Sequence, residues 1–130
     1  MMLKETLVES CNLSQNILQS LPKKFCAKFY RVQDLNLSGN KLITLPNELA
    51  NLQELHYLDL SCNLLEAIPQ IVFHCMKLKH LDIQSNSITD IDLMRLEAMT
   101  SLETLNIKGN PLPDDVKSQL LDTRLNVIRN

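Results

Sequence analysis

An asparagine returns along this chain at nearly constant intervals, at Asn16, Asn40, Asn63, Asn86 and Asn110, in steps of 24, 23, 23 and 24 residues. Around each one the same pattern stands, L-x-x-L-x-L-x-x-N-x-L. The cleanest copy is Leu55, Leu58, Leu60, Asn63, Leu65. Its neighbours are Val32, Leu35, Leu37, Asn40, Leu42 and Leu78, Leu81, Ile83, Asn86, Ile88. The last copy is Leu102, Leu105, Ile107, Asn110, Leu112, and the first and most degenerate is Val8, Cys11, Leu13, Asn16, Leu18. Self-similarity at this period means one supersecondary unit stacked along an axis.

The L-x-L core of each copy reads as a short strand, because alternate side chains of a strand point to opposite faces. Leu35 and Leu37 then point inward, and Asp34, Asn36 and Ser38 outward. A single unit cannot bury its own leucines, so neighbours must stack into a parallel sheet over one continuous core.

These five registered copies resemble the leucine-rich repeat family over roughly residues 7 to 113. The resemblance implies an α/β solenoid, with a curved, right-handed parallel β-sheet on the concave side and short helices or 3₁₀ turns on the convex side. It also implies that Asn16, Asn40, Asn63, Asn86 and Asn110 form a structural ladder. In this family that side chain bonds to backbone groups at the turn after the strand, groups that otherwise lack partners. A length of 23–24 residues with Leu-Pro after the asparagine is similar to the short intracellular, Erbin- or Scribble-like type.

The second half of each unit keeps register too. Leu21-Pro22, Leu45-Pro46 and Ile68-Pro69 follow their asparagines, then Phe25, Leu49 and Val72. Phe29, Leu52, Cys75 and Met99 precede the next strand motif. This spacing suits a short helix or 3₁₀ stretch, whose first residue can be proline because its missing N–H needs no partner. The fourth unit has Ile91-Asp92 instead, and Met94, Leu96 and Met99 at near-helical spacing predict a fuller helix there.

A stack needs caps at its ends. After Asn110 come Pro111 to Asp115 and then Val116, Leu120 and Leu121, which read as a short helix with acids at its N-terminus, where the helix dipole favours them. Leu125, Val127 and Ile128 could add a last edge strand. At the other end, either Met1 to Leu7 folds over the first unit or the edge stays partly open. The expectation is a single domain over residues 1–130, with five repeats at about 8–112 and a short C-terminal cap at 113–130.

Composition narrows the function classes. A net charge of −2 supplies no pull toward nucleic acid or anionic membrane. Aromatic content of 4 %, without Trp, argues against a base-stacking platform. The N-terminal residues do not read as a signal peptide, and no apolar run approaches a membrane span. Cys11, Cys26, Cys62 and Cys75 lie 15, 36 and 13 residues apart, poor spacing for zinc or a disulfide framework, so reduced thiols in a cytoplasmic protein are expected. Cys11 and Cys75 read as core residues and Cys62 as partly exposed. Asn12-Leu13-Ser14 and Asn36-Leu37-Ser38 match the glycosylation acceptor, but a strand written N-L-S produces that match by itself, and no glycan is expected. His56, His74 and His80 form no catalytic or metal constellation with a nucleophile, and no cofactor, metal or catalytic residue is expected.

What is left is a surface. One outward column holds Ser10, Asp34, Tyr57, His80 and Thr104, the next Asn12, Asn36, Asp59, Asp82 and Asn106, and a third Ser14, Ser38, Ser61, Gln84 and Lys108. At about 4.8 Å per strand, five strands span about 20 Å, enough for one partner. The Asn/Asp column also follows the family pattern, so much of its meaning is local bonding of short polar side chains. Tyr57 and His80 depart from that pattern, and interface hot spots favour aromatic residues. Asp34, Asn36, Tyr57, Asp59, His80, Asp82 and Gln84 are therefore the candidate partner-binding residues, with Tyr57 as anchor. A solvated polar face, with binding on the convex side or an edge, is the alternative. The function expected is a monomeric, non-catalytic intracellular scaffold or adaptor that binds another protein, with no nucleic acid or membrane partner. The alternative is a regulatory subunit that positions an enzyme, such as a protein phosphatase or a ribonucleoprotein component.

Overall fold

The structure is a computed structural model, and it describes residues 8–130. Six strands, each three residues long, form one sheet: β1 Ser10–Asn12, β2 Asp34–Asn36, β3 Tyr57–Asp59, β4 His80–Asp82, β5 Thr104–Asn106 and β6 Asn126–Ile128. All neighbours are parallel and the spatial order equals the chain order. Each strand therefore meets only the strands before and after it, as a stacked repeat requires. The residues that open and close the six strands face out, and the central ones, Cys11, Leu35, Leu58, Leu81, Leu105 and Val127, lie side by side against the core.

The return half of each unit carries a different short element. Three are helical, α1 Lys23–Lys28, α2 Leu93–Ala98 and α3 Asp114–Leu121, and two are 3₁₀ turns, at Asn47–Asn51 and Gln70–His74. Pro22, Pro46, Pro69 and Pro113 stand immediately before four of these elements in extended conformation. Asp92 takes that place in the fourth unit, where its carboxylate accepts the Arg95 N–H at 3.2 Å and caps α2. Proline sets the entry angle by its fixed φ; aspartate does so by satisfying an orphan donor.

Three expectations for this layer are corrected. Phe25 does not continue the Leu49–Val72 column: Cys26 is the fully buried residue and Phe25 is only partly covered, packing on Phe29 at 4.9 Å between ring centroids. The physical reason is the phase in which each element meets the core: Leu49 and Val72 lie three places beyond proline in their 3₁₀ turns, and Cys26 lies four beyond it in α1. Met94 is 85 % exposed; the inward face of α2 is Leu96, flanked by Leu93 and Met99. Leu121 is likewise exposed, because α3 buries Val116 and Leu120, one turn apart.

Beyond α3 the chain returns to the sheet as β6, whose register with β5 places Asn126 opposite Thr104 and Ile128 opposite Asn106. Arg124 ties this last turn to the body. Its guanidinium donates to the carbonyls of Leu102, Met99 (2.6 Å) and Glu97 (3.3 Å), backbone acceptors on the run from α2 into β5. Replacing Arg124 by alanine leaves those carbonyls to water and is expected to cost about 1–2 kcal/mol. Thermal denaturation followed by circular dichroism measures this, and an unchanged midpoint would remove Arg124 from the cap. Met1 to Leu7, the expected cover of the N-terminal edge, lie outside the described residues.

The ladder asparagines have the following geometry. Asn63 Nδ2 donates to the carbonyls of Leu37 (3.0 Å), Leu60 (3.1 Å) and Ser61 (3.1 Å), while its Oδ1 accepts the N–H of Leu42 at 3.0 Å. Asn40, Asn86 and Asn110 make the corresponding bonds, each reaching one repeat back, and all four side chains are buried. Asn16 is exposed and bonds within its own turn, to Leu13 and Ser14. The residue before each asparagine is left-handed: Gln15, Gly39, Cys62, Ser85 and Gly109 have φ between 55° and 69°. Glycine adopts that conformation freely, and a Cβ at Gly39 would also meet the Gln15 side chain at 2.3 Å.

A candidate interaction surface on the concave sheet

Because each strand is only three residues long, its first and third side chains form the exposed concave surface and its middle one belongs to the core. Register places Ser10, Asp34, Tyr57, His80, Thr104 and Asn126 in one row across the sheet. The row beside it is Asn12, Asn36, Asp59, Asp82, Asn106 and Ile128.

In the second row every Asn or Asp does the same local work. The side-chain oxygen accepts the backbone N–H two residues on: Ser14 to Asn12, Ser38 to Asn36, Ser61 to Asp59, Gln84 to Asp82 and Lys108 to Asn106, all at 2.9–3.1 Å. Short polar side chains are suited to this bond, which closes the strand end. The serine hydroxyls of the third column return to the same oxygens, Ser38 at 2.7 Å and Ser61 at 2.6 Å. Ser61 is 6 % exposed, so it belongs to the turn, not to an outward column. Gln84 is partly buried and leans on Asp82 Oδ2 at 3.4 Å.

The first row is different in kind. Tyr57, near the middle, is 37 % exposed, and its ring sits 6.2 Å from that of His80, tilted by 49°. His80 is itself held by a hydrogen bond between Nδ1 and Thr104 Oγ1. A hollow of about 330 Å³ lies on one side of Tyr57, floored by β1 and β2 between Ser10, Asn12, Asp34 and Asn36. A smaller one of about 80 Å³ lies on the other, lined by His80, Asp82, Thr104, Asn106 and Ile128. The phenol is thus a ridge between two depressions, a shape that an extended or looped segment can straddle.

Electrostatically this region is one negative field. Burial, and then the charges of Asp59, Asp82 and Asp34, push the Tyr57 hydroxyl above its ordinary pKa. The Asp82 carboxyl is also raised, first by burial and further by Asp59, against the lowering effect of its bond from the Gln84 N–H. The structure brings Asp34, Asn36, Tyr57, Asp59, His80 and Asp82 onto one face and ties Gln84 to its margin. Ile128 was not anticipated on this face. The signal was present in the run Leu125, Val127, Ile128, which predicts the strand but not that its last residue would line a hollow with Tyr57.

The remaining candidates lie elsewhere. His74 is exposed at the end of the second 3₁₀ turn, on the convex side. Cys75 and Cys26 are buried thiols that burial pushes up, to about 12 and about 11, the former also by Cys26 and the latter by Glu48. Cys62 is exposed and Cys11 is partly buried. Among the described residues no helix is long and apolar enough to cross a membrane.

Comparison with known proteins agrees with the geometry. The family model for the leucine rich repeat matches residues 7–63 and 53–112. Leucine-rich repeat-containing protein 20 of Mus musculus is 53 % identical over 105 residues, which is 81 % of this chain and 57 % of that protein. Among solved structures, a leucine-rich repeat protein of Leptospira interrogans superposes with a TM-score of 0.80 at 29 % identity, over 92 % of this chain and 30 % of its own. An internalin from Listeria monocytogenes gives 0.69 at 26 % identity, over 92 % of this chain and 33 % of its own. Stacked parallel strands, a backbone-bonded asparagine in each turn and these matches all say the same thing: the chain belongs to the leucine-rich repeat family and folds as an open solenoid.

Proposed function

We propose that this chain is a non-catalytic protein-interaction module of the cytoplasm, a monomeric scaffold or adaptor that holds a partner protein against its concave sheet with Tyr57 as the anchor. Leucine-rich repeat domains are in general protein-interaction modules, which supports the class of function. The observation that carries the choice of face is Tyr57 itself, a half-covered aromatic ridge between two hollows on a sheet whose other outward side chains, apart from His80 and Ile128, are short and polar. Aromatic side chains of this kind bring large contact area at low entropic cost.

The test is a comparison of native chain and Tyr57→Ala in capturing partners from a cytosolic extract. Hot-spot truncations cost about 2 kcal/mol or more, so captured partner should fall by about tenfold or more while the melting temperature stays in place. Equal capture by both forms would end the concave-face reading. Assaying the captured material for phosphatase activity or ribonucleoprotein separates a regulatory subunit from a simple scaffold.

A further inference from the structure

The concave sheet carries two negative charges that its architecture does not need. Asp59 and Asp82 close their strands by accepting the N–H groups of Ser61 and Gln84 at 2.9 and 3.0 Å. Asn36 and Asn106, one strand further out on either side, make the same bond at 3.0 and 3.1 Å with a neutral amide. Asparagine therefore serves the strand-end bond equally well, so the charge at positions 59 and 82 is not what closes the turn, although the second Asp82 oxygen also accepts the Gln84 side-chain amide at 3.4 Å.

That charge also has a cost. Asp59 and Asp82 stand directly opposite each other on adjacent strands, which lie about 4.8 Å apart. Like charges so placed in a sheet repel. No lysine or arginine occupies any position of the two rows that make up the described concave face, so the sheet itself offers no neutralising cation at these strand positions. Asp34 adds a third carboxylate in the row of Tyr57, and all three act on the Tyr57 ring. A group of carboxylates around a partly exposed phenol, with no lysine or arginine in either described row, is complementary to one chemistry, a cation with a flat or extended apolar stem.

Resting on the concave-face reading above, we propose that the segment seated there is a basic stretch of a partner protein, with an arginine or lysine side chain laid over the Tyr57 ring and its charge held among Asp34, Asp59 and Asp82. A cation over an aromatic face is attracted by the ring quadrupole, and guanidinium does this best. The molecule uses the same contact on its convex side, where the Arg95 guanidinium lies 4.8 Å from the Phe73 centroid. Carboxylates beside the ring add charge-assisted hydrogen bonds, which are stronger than neutral ones. The same field repels phosphate, which excludes nucleic acid and anionic lipid from this face.

The experiment is a titration of the isotopically labelled full chain, followed by backbone amide shifts. The probe is a flexible Gly-Ser peptide bearing several arginines, compared with the same peptide bearing glutamines in their place. The arginine peptide should shift Tyr57, Asp59 and Asp82 and weaken steeply as salt rises from about 0.05 to about 0.5 M. Asp59→Asn with Asp82→Asn should reduce its affinity about tenfold or more while the fold is retained, since the strand-end bonds from the Ser61 and Gln84 N–H groups are kept. Asp34→Asn, which touches neither turn bond, should weaken binding in the same direction. If the glutamine peptide binds the same residues equally well, the cationic class is wrong while the concave face stands. If the arginine peptide shifts nothing on the sheet, or binds the asparagine variants unchanged, the proposal fails, and the Tyr57→Ala capture comparison then decides the face by itself.

Discussion

Asn63→Ala is expected to lower the unfolding free energy by about 3 kcal/mol, and Asn16→Ala by less than about 1 kcal/mol, although the two substitutions remove the same atoms. The difference comes from what each asparagine leaves behind. Without Asn63, the carbonyls of Leu37 and Leu60 keep a second donor, because Asn40 and Asn86 also bond to them. The N–H of Leu42 does not: Asn63 Oδ1 is the acceptor recorded for it, at a residue with no exposed surface. Orphaning a buried donor costs its full desolvation, about 1–3 kcal/mol, to which the lost bond to Ser61 and the vacated volume are added. Asn16 is exposed and, among the described residues, bonds within its own turn, so water takes its place. Urea denaturation of both variants measures the gap. Equal losses would mean that the ladder is not what holds the repeats together.

Leu58→Ala is the second large effect, expected at about 3–4 kcal/mol. Leu58 is the middle residue of the central strand β3, fully buried, with Leu35 and Leu81 beside it in register. Close-packed neighbours relax only partly around a vacated leucine, so the cavity persists and adds to the lost transfer energy. In a stack stabilised by nearest-neighbour interfaces the loss falls on two interfaces at once. The corresponding change at the first strand, Cys11→Ala, removes a smaller and partly exposed side chain with one neighbouring strand among the described residues, and should cost less than about 1 kcal/mol. Because β3 is only three residues long, Tyr57 and Asp59 move with Leu58, so Leu58→Ala should also weaken partner capture. A loss below about 1.5 kcal/mol would indicate that the core refills.

The sheet was legible in the sequence because its determinants are local and repeated. A leucine two places from the next and an asparagine three beyond fix strand, turn and register together, so that the pattern alone aligns Asp34, Tyr57 and His80. The convex layer was less legible. A spacing of three or four apolar positions fits a 3₁₀ turn and an α-helix equally and leaves the phase of the element open, as Cys26 and Phe25 show. In α2 and α3 the helix is legible but its apolar pattern includes Met94 and Leu121, which the phase of the helix turns outward. On the concave side, the direction of Ser61 depends on a hydrogen bond to its neighbour's carboxylate, and a pattern of polar residues does not say which of them turn inward. The hollow beside Ile128 arises between strands that are remote in sequence, so only the stacked form displays it.

The asparagine ladder has a direction. Each buried asparagine donates to a carbonyl, and accepts from an N–H, of the repeat that precedes it in the chain. In a chain emerging from the ribosome N-terminus first, each new asparagine therefore finds its acceptor carbonyl already made, and in docking it satisfies an N–H, such as that of Leu42, that the earlier repeat had left open. Loss of repeats from the C-terminal end leaves the remaining asparagines with their acceptors and donors in place. Loss from the N-terminal end leaves the next one only the bonds within its own turn, such as those of Asn63 to Leu60 and Ser61. The two ends of the stack are therefore not equivalent: a lost C-terminal repeat orphans a backbone N–H of the one before it, and a lost N-terminal repeat frees the asparagine side chain of the one after it.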